Sequence, residues 1–341
     1  MSNSELLRPY ASLHTELKGP GDQRPTASQI IADNHLQGAL EGKVALVTGA
    51  SAGIGVPTVL ALLETGMRVF AAVRNFDKAR ASELGPHIAE GKLELIHLDN
   101  NSLASVRRCA EDFKQRSGGN LNLLINNAGI MMVPTLTPTE DGFESQLGVN
   151  YLSHFLLFQL LKPLLLRSAT PDFPSRVVNV SSMAHRWGTV QLDNLQLEGE
   201  GVYDPVAAYG QSKTALIWMA NEIERRYGSS HLHAFSLHPG GIWTNLQVHI
   251  PEEQMAVWKS DETVGRYMKS PAQGAATTIW AAVANVLEGK GGLYLEDCGV
   301  AGPVPEGSGT LDLGYASWAY DEEKEGKLWR KACALVGVED N

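Results

Sequence analysis

A tyrosine and a lysine four residues apart, Tyr209 and Lys213 in Ala-Ala-Tyr-Gly-Gln-Ser-Lys-Thr-Ala, are the residues of this chain best suited to exchanging a proton. An isolated phenol titrates near pH 10. A cation close by favours the phenolate and lowers that value. Positions i and i+4 share one face of a helix, so the Lys213 ammonium is expected beside the Tyr209 hydroxyl, tuning it as an acid and base. Such a pair also arises by chance in 341 residues, so its meaning depends on what surrounds it.

The strongest companion lies upstream. Lys43-Val44-Ala45-Leu46-Val47 reads as a buried parallel strand and runs into Thr48-Gly49-Ala50-Ser51-Ala52-Gly53-Ile54-Gly55. A helical pattern carried by Val59, Leu60, Leu62 and Leu63 follows. Strand, glycine turn and helix together make a nucleotide site: Gly49 for the tight turn, Gly53 for close approach to a pyrophosphate, Gly55 for helix-on-strand packing. The free amides and positive pole of the helix start, near Ile54, would face the phosphates.

The glycine spacing is Gly-x-x-x-Gly-x-Gly, and further motifs follow in order. Asn126-Asn127-Ala128-Gly129 comes after the apolar run Leu123-Leu124-Ile125, Asn150 sits in Gly-Val-Asn-Tyr-Leu, and Ser181-Ser182 follow Val177-Val178-Asn179-Val180. Tyr209 and Lys213 come next, then His238-Pro239-Gly240-Gly241-Ile242-Trp243-Thr244. In this the chain resembles the short-chain dehydrogenases/reductases over residues 41–301. Val-Asn-Val-Ser-Ser-Met-Ala-His and Tyr294-Leu295-Glu296-Asp297-Cys298 are closest to the retinol-dehydrogenase-like branch and its filamentous-fungal relatives.

The resemblance implies roles. Tyr209 would be the proton donor, and Lys213 would lower its pKa and bind the nicotinamide ribose. Ser182 would hydrogen-bond the substrate carbonyl, with Ser181 as the neighbouring alternative, and Asn150 would hold a water linking Lys213 to solvent. Gly49, Ser51, Gly53, Ile54, Gly55, Asp99, Asn126, Ala128, Gly129, Pro239, Gly240, Ile242 and Thr244 would contact the cofactor, together with Tyr209 and Lys213. Asp99 matches the family's adenine contact; Asn100 beside it departs from the usual aliphatic residue. Cofactor choice turns on Arg74 after Val69-Phe70-Ala71-Ala72-Val73: a guidinium there suits a 2′-phosphate, whereas Asp77 lies beyond the position of an NAD-selective acid. NADP(H) is therefore expected over NAD(H). His154, His185 and His238 read as structural, and Trp187, Trp243 and Trp258 as either cavity lining or packing.

Composition fits an enzyme. The chain is 43 % hydrophobic and 19 % charged, enough for a core and unlike a disordered protein. A net charge of −10 without a basic run argues against nucleic acid. Cys109, Cys298 and Cys333 are far apart and read as free thiols, with no metal site. The start, Met-Ser-Asn-Ser-Glu-Leu-Leu-Arg-Pro-Tyr, is not a secretory signal. Residues 152–166 are broken by His154, Gln159, Lys162 and Pro163 and are short of a bilayer span. A cytoplasmic protein with a small-molecule substrate is expected.

These residues need a frame. Strand signals at 44–47, 69–73, 93–98, 123–125, 177–180 and 234–237 alternate with helical ones at 55–66, 102–116, 143–167 and 206–227, and the family implies a seventh strand at 292–295. The expected fold is α/β: a Rossmann-type doubly wound parallel sheet of about seven strands with helices on both faces. It would comprise an extension at 1–40 with Thr26 capping a helix, the catalytic domain at 41–301 and a C-terminal extension at 302–341. That last extension would end in a helix with Leu328, Trp329, Ala332 and Leu335 on one face and a solvated acidic start. Family members pair through the helices at 143–167 and 206–227, implying a homodimer or homotetramer, but a C-terminal addition can cover those helices and leave a monomer. Residues 185–204 and 243–269 leave the carboxyl ends of strands; the first would form part of the pocket and the second a movable apolar lid. The expected activity is carbonyl/alcohol interconversion on a lipophilic or medium-sized compound. The alternatives are an isomerase, dehydratase or cyclase on the same scaffold, or a nucleotide sensor without turnover.

Overall fold

Continuous apolar runs make strands that must be covered on both faces. β1 (Val44–Thr48), β4 (Leu123–Asn126) and β5 (Ser175–Val180) are buried throughout. In the computed structural model, which describes residues 7–340, they lie in one sheet with β2 (Arg68–Val73), β3 (Leu93–His97), β6 (Leu232–His238), β7 (Leu293–Glu296) and β8 (Gly299–Val300). The order is β3-β2-β1-β4-β5-β6-β7-β8, and β1 to β7 pair in parallel. This is a Rossmann-type doubly wound fold, with its switch point between β1 and β4, where ligands bind at the carboxyl ends of strands. Residues 1–6 of the expected N-terminal extension, and Asn341 of the C-terminal one, lie outside the described residues.

The sheet has one strand more than expected. Asp297 and Cys298 both have positive φ, 50° and 53°, which closes a two-residue turn and folds β8 back antiparallel on β7. Two cores flank the sheet. One joins residues of the helices Ala27–Asp33, Gly55–Glu64 and Ala276–Val283 to one face. The other joins those of Leu103–Arg116, Ser153–Ser168, Pro205–Tyr227 and Glu322–Val336 to the opposite face. Thr26 caps the first of these helices through the Gln29 amide. The run Ser145–Ser168 is apolar and long enough to cross a membrane by composition, and 78 % of its most apolar window is buried within the fold.

Where one helix was expected at 143–167, the chain makes a turn at Ser145–Leu147, a π-helical segment at Gly148–Leu152, and then the α-helix Ser153–Ser168. The wide turn carries Asn150, and π-bulges recur at functional positions.

Both extensions pack tightly. Arg24, 3 % exposed, pairs with Asp22 at 2.8 Å and donates to the carbonyls of Tyr267 (2.7 Å) and Met268 (2.6 Å). The closing helix starts at Asp321, whose carboxylate accepts the Lys324 amide. Its buried face is Leu328, Trp329, Ala332, Cys333 and Val336, whereas Leu335, expected inside, is 38 % exposed. The expected solvated acidic start also needs correction at Glu325: it is 2 % exposed and held by Asn221 Nδ2 (2.7 Å) and Arg225. Trp329 meets Phe155 edge-on at 4.9 Å, so the helix packs on Ser153–Ser168 and Pro205–Tyr227, in the two segments expected to pair in an oligomer. Trp329→Ala is expected to cost about 3–5 kcal/mol of unfolding free energy, as large aromatic deletions in cores do, read as a fall in the urea midpoint.

Candidate active site

The glycine turn is built by close approach. Gly49 has φ +68°, and a Cβ there would stand 2.7 Å from Ala128 Cα; one on Gly55 would stand 2.5 Å from the Gly49 carbonyl. Glycine is required at both positions, so the β1 turn and the Ala128 loop cross in contact. The ten-residue helix that follows has no side-chain cap, which leaves its first amides available to an anion. Gly53 lies against Thr244, and Gly129 against Asn150 Oδ1 and Lys213 Nζ. The motifs expected to hold a dinucleotide thus come together around one crevice, and the residues present fit a nicotinamide dinucleotide.

Two of the expected cofactor contacts have buried side chains. Asn126 is fully buried; its amide donates to Asn179 Oδ1 (2.8 Å) and its own Oδ1 has no hydrogen-bond partner among the described residues. Ile242 is 7 % exposed and packs with Ile54 over Gly274, leaving its backbone as the cofactor-facing part. Arg74 is exposed just beyond β2, while Asp77 turns to Arg80 at 3.2 Å. Asp99 Oδ1 accepts the Asn101 amide, and Ser51, Pro239 and Gly240 are half-buried around the crevice.

Tyr209, 3 % exposed, lies on the helix Pro205–Tyr227 with its hydroxyl on the side of Ser182. Ser181 is excluded as the alternative, because its hydroxyl donates to the Lys213 carbonyl at 2.8 Å inside the fold. Lys213 Nζ donates to the Val180 carbonyl (2.9 Å) and stands 5.4 Å from the centre of the Tyr209 ring.

The electrostatics differ from the expectation. Burial pushes the Tyr209 phenol above its ordinary value, and the neighbouring Ser182 side chain pulls back only part of that. Burial also brings Lys213 down to about 7. Removing either charge from water outweighs their attraction across this distance, so the tyrosine is held as a neutral acid.

Asn150 is committed to protein. Its amide donates to the Ile130 carbonyl (3.0 Å) and Ser212 Oγ (2.9 Å), and its oxygen accepts the Ile130 amide (2.8 Å). The expected water link to Lys213 therefore cannot use its amide protons; the side chain positions the Gly129 loop.

Several organising residues escaped the sequence. Thr48 Oγ1 accepts the Asn127 and Ala128 amides, both at 3.0 Å, and meets His154 Nε2 at 2.9 Å. Asn100 Nδ2 also donates to that nitrogen (3.3 Å), which makes Nε2 the acceptor and Nδ1–H the donor to the Asn150 carbonyl (2.8 Å). Burial lowers His154 to about 4, so it is neutral and structural, as expected. His185 likewise donates from Nδ1 to the Ser182 carbonyl (2.7 Å) and accepts the Ala316 amide at Nε2 (3.0 Å). A histidine four residues after Asn150 on an otherwise apolar helix was the one visible signal.

A model of the short chain dehydrogenase family matches residues 43–255. The chain belongs to that family. It is 52 % identical over 331 residues to short-chain dehydrogenase/reductase prx1 of Penicillium roqueforti, covering 97 % of this chain and 96 % of that one. To human retinol dehydrogenase 11 it is 36 % identical, covering 88 % and 87 %. Among solved structures, the RhlG/NADP active-site complex of Pseudomonas aeruginosa superposes with a TM-score of 0.60 at 30 % identity, over 76 % of this chain and 96 % of that one. These relatives place it in the retinol-dehydrogenase-like, fungal part of an oxidoreductase family.

A lysine whose pKa is lowered by burial costs stability at every pH where the unfolded chain holds the proton. That cost is full below about pH 7 and vanishes as pH rises towards the ordinary lysine value. Lys213→Met is therefore expected to melt above the parent protein at pH 6, with the gain shrinking by pH 10, followed by thermal denaturation.

Proposed function

We propose that the protein is an NADP(H)-dependent oxidoreductase interconverting a carbonyl and an alcohol on a lipophilic or medium-sized organic compound, in the cytoplasm. The observation that carries the reading is the buried pair Tyr209 and Lys213 on one helix, with Lys213 Nζ 5.4 Å from the centre of the tyrosine ring and Ser182 beside it. Bound NADPH would supply a hydride to the carbonyl carbon. Ser182 and Tyr209 hydrogen-bond the carbonyl oxygen, and Tyr209 gives it a proton as negative charge develops. Lys213, near 7, exchanges protons at neutral pH and can restore the one Tyr209 has lost. In the oxidative direction the same groups run in reverse.

Arg74 favours NADP(H), since a guanidinium suits a 2′-phosphate and the nearest acid is turned to Arg80. The NADP in the RhlG complex supports the same choice. Residues 248–266 form a movable cover: the helices Glu252–Ser260 and Glu262–Tyr267 contain no buried residue. The lid expected to reach residue 269 stops short of it, because Arg24 clamps residues 267 and 268 and the Lys269 amide donates to the Gly241 carbonyl (2.7 Å). With the pairing helices covered by the Trp329 helix, the protein is a monomer in this reading.

NADPH oxidation measured with a panel of aldehydes and ketones tests the activity. Tyr209→Phe should lower kcat about 10²–10⁴-fold and leave NADPH affinity nearly unchanged; retention of more than about a tenth of kcat, outside that range, removes Tyr209 as the acid. Arg74→Gln should weaken NADPH binding roughly ten- to a hundred-fold, the worth of one charged hydrogen bond, and barely change NADH binding. Equal losses for both cofactors would overturn the assignment.

A further inference from the structure

Beside the crevice lies a second cavity of about 240 Å³ that the proposed chemistry does not use. Both terminal extensions wall it: Ala11 and Leu17 from one, Leu311 and Leu313 from the other. Its floor is an ion pair, Lys269–Asp297 at 2.6 Å, with His14 at 3.6 Å from the same carboxylate oxygen. Arg24 spends its donors on Asp22 and backbone carbonyls. Arg8 and Asp312 stand at the exposed rim. The interior thus sets aliphatic side chains beside charges that already pair with one another, so an uncharged group can enter without breaking an ion pair.

Tyr267 also lines this chamber, and its hydroxyl points the other way. It meets His238 Nε2 at 2.9 Å and Met183 Sδ at 3.8 Å, and Met183 directly follows Ser182. A Cβ on Gly241 would stand 2.8 Å from the Tyr267 ring, so the ring covers the turn after β6. One side of the tyrosine therefore faces the catalytic serine loop and the other faces the chamber. Its backbone is fixed by the Arg24 clamp, so the ring can move only about its own side-chain bonds.

We propose that Tyr267 is the wall that sets how long a carbonyl compound the site accepts, and that the chamber behind it receives the apolar far end of the substrate. The proposal rests on the carbonyl reading above and deepens it: the substrate class is a carbonyl compound with an extended aliphatic body, whose tail displaces the ring from His238. All of the residues lining the chamber lie outside the 43–255 match to the family model. Its shape is thus set largely by the extensions, with Tyr267, Lys269 and Asp297 contributed by the domain between them.

The test compares kcat/KM for decanal with that for butanal, with NADPH as reductant. Tyr267→Ala opens the wall and should raise the decanal-to-butanal ratio about tenfold or more, the scale on which a few methylenes discriminate in an apolar site. Tyr267→Phe keeps the ring and should keep the ratio. Ala11→Trp, at an exposed position, fills the chamber from its far side; it should lower the ratio about tenfold and cancel the gain when combined with Tyr267→Ala. A ratio unmoved by both Tyr267→Ala and Ala11→Trp overturns the chamber assignment while the carbonyl chemistry stands. An enzyme that oxidises NADPH with no member of the carbonyl panel overturns the functional reading itself, and this proposal with it.

Discussion

Thr48 takes the Asn127 and Ala128 amides on one oxygen and gives its proton to His154 Nε2, whose other nitrogen donates to the Asn150 carbonyl. Four segments far apart in sequence meet on that chain: the end of β1, the loop after β4, the π-helical turn and, through Asn100, the loop after β3. The crossing of Gly49 under Ala128 leaves no room for a side chain, so the hydroxyl lies where two backbones already touch. Neutral, fully buried His154 can pass on the bond only in one tautomer, which orients Asn150 and, through it, the Gly129 loop beside Lys213. The crevice owes its shape to this buried polar network, and networks of this kind specify a structure because each unpaired member would be costly.

The extensions do comparable work at the other end of the site. His185 ties the Ser182 carbonyl to the Ala316 amide, and Trp318 donates from Nε1 to the His185 carbonyl (3.0 Å), so the C-terminal segment braces the loop that carries the serine. Arg24 braces the far end of the 243–269 segment. Catalytic geometry in this protein is therefore held by residues that lie before and after the matched family region as well as within it.

Burial also sets the proton chemistry. Tyr209 and Lys213 are both nearly inaccessible, and desolvation moves each towards its neutral form. The four-residue spacing predicted that they share a helix, which they do. It carried no information on how much water surrounds them, and that quantity reversed the expected direction for the phenol.

The sequence by itself determined the fold class, the alternation of strands and helices, the glycine turn and the shared helix of Tyr209 and Lys213, because these follow from local periodicity and turn chemistry; Ser182 beside them was what the family resemblance implied. It also marked Thr26 and Asp321 as starts of helices, since caps are local hydrogen bonds. Tertiary structure decided the rest. The amides of Asn126 and Asn150 found partners on a neighbouring strand and helix, Asn179 and Ser212. The helix at 143–167 acquired a π turn, and the closing helix rotated Leu335 outwards and drew Glu325 in, because packing against other helices outweighs the phase of a short apolar pattern. Tyr267 gained two faces, one towards the serine loop and one towards a chamber, only where both extensions met around it. Contacts between segments hundreds of residues apart leave no local trace, and it is those contacts that shape the space a substrate would enter.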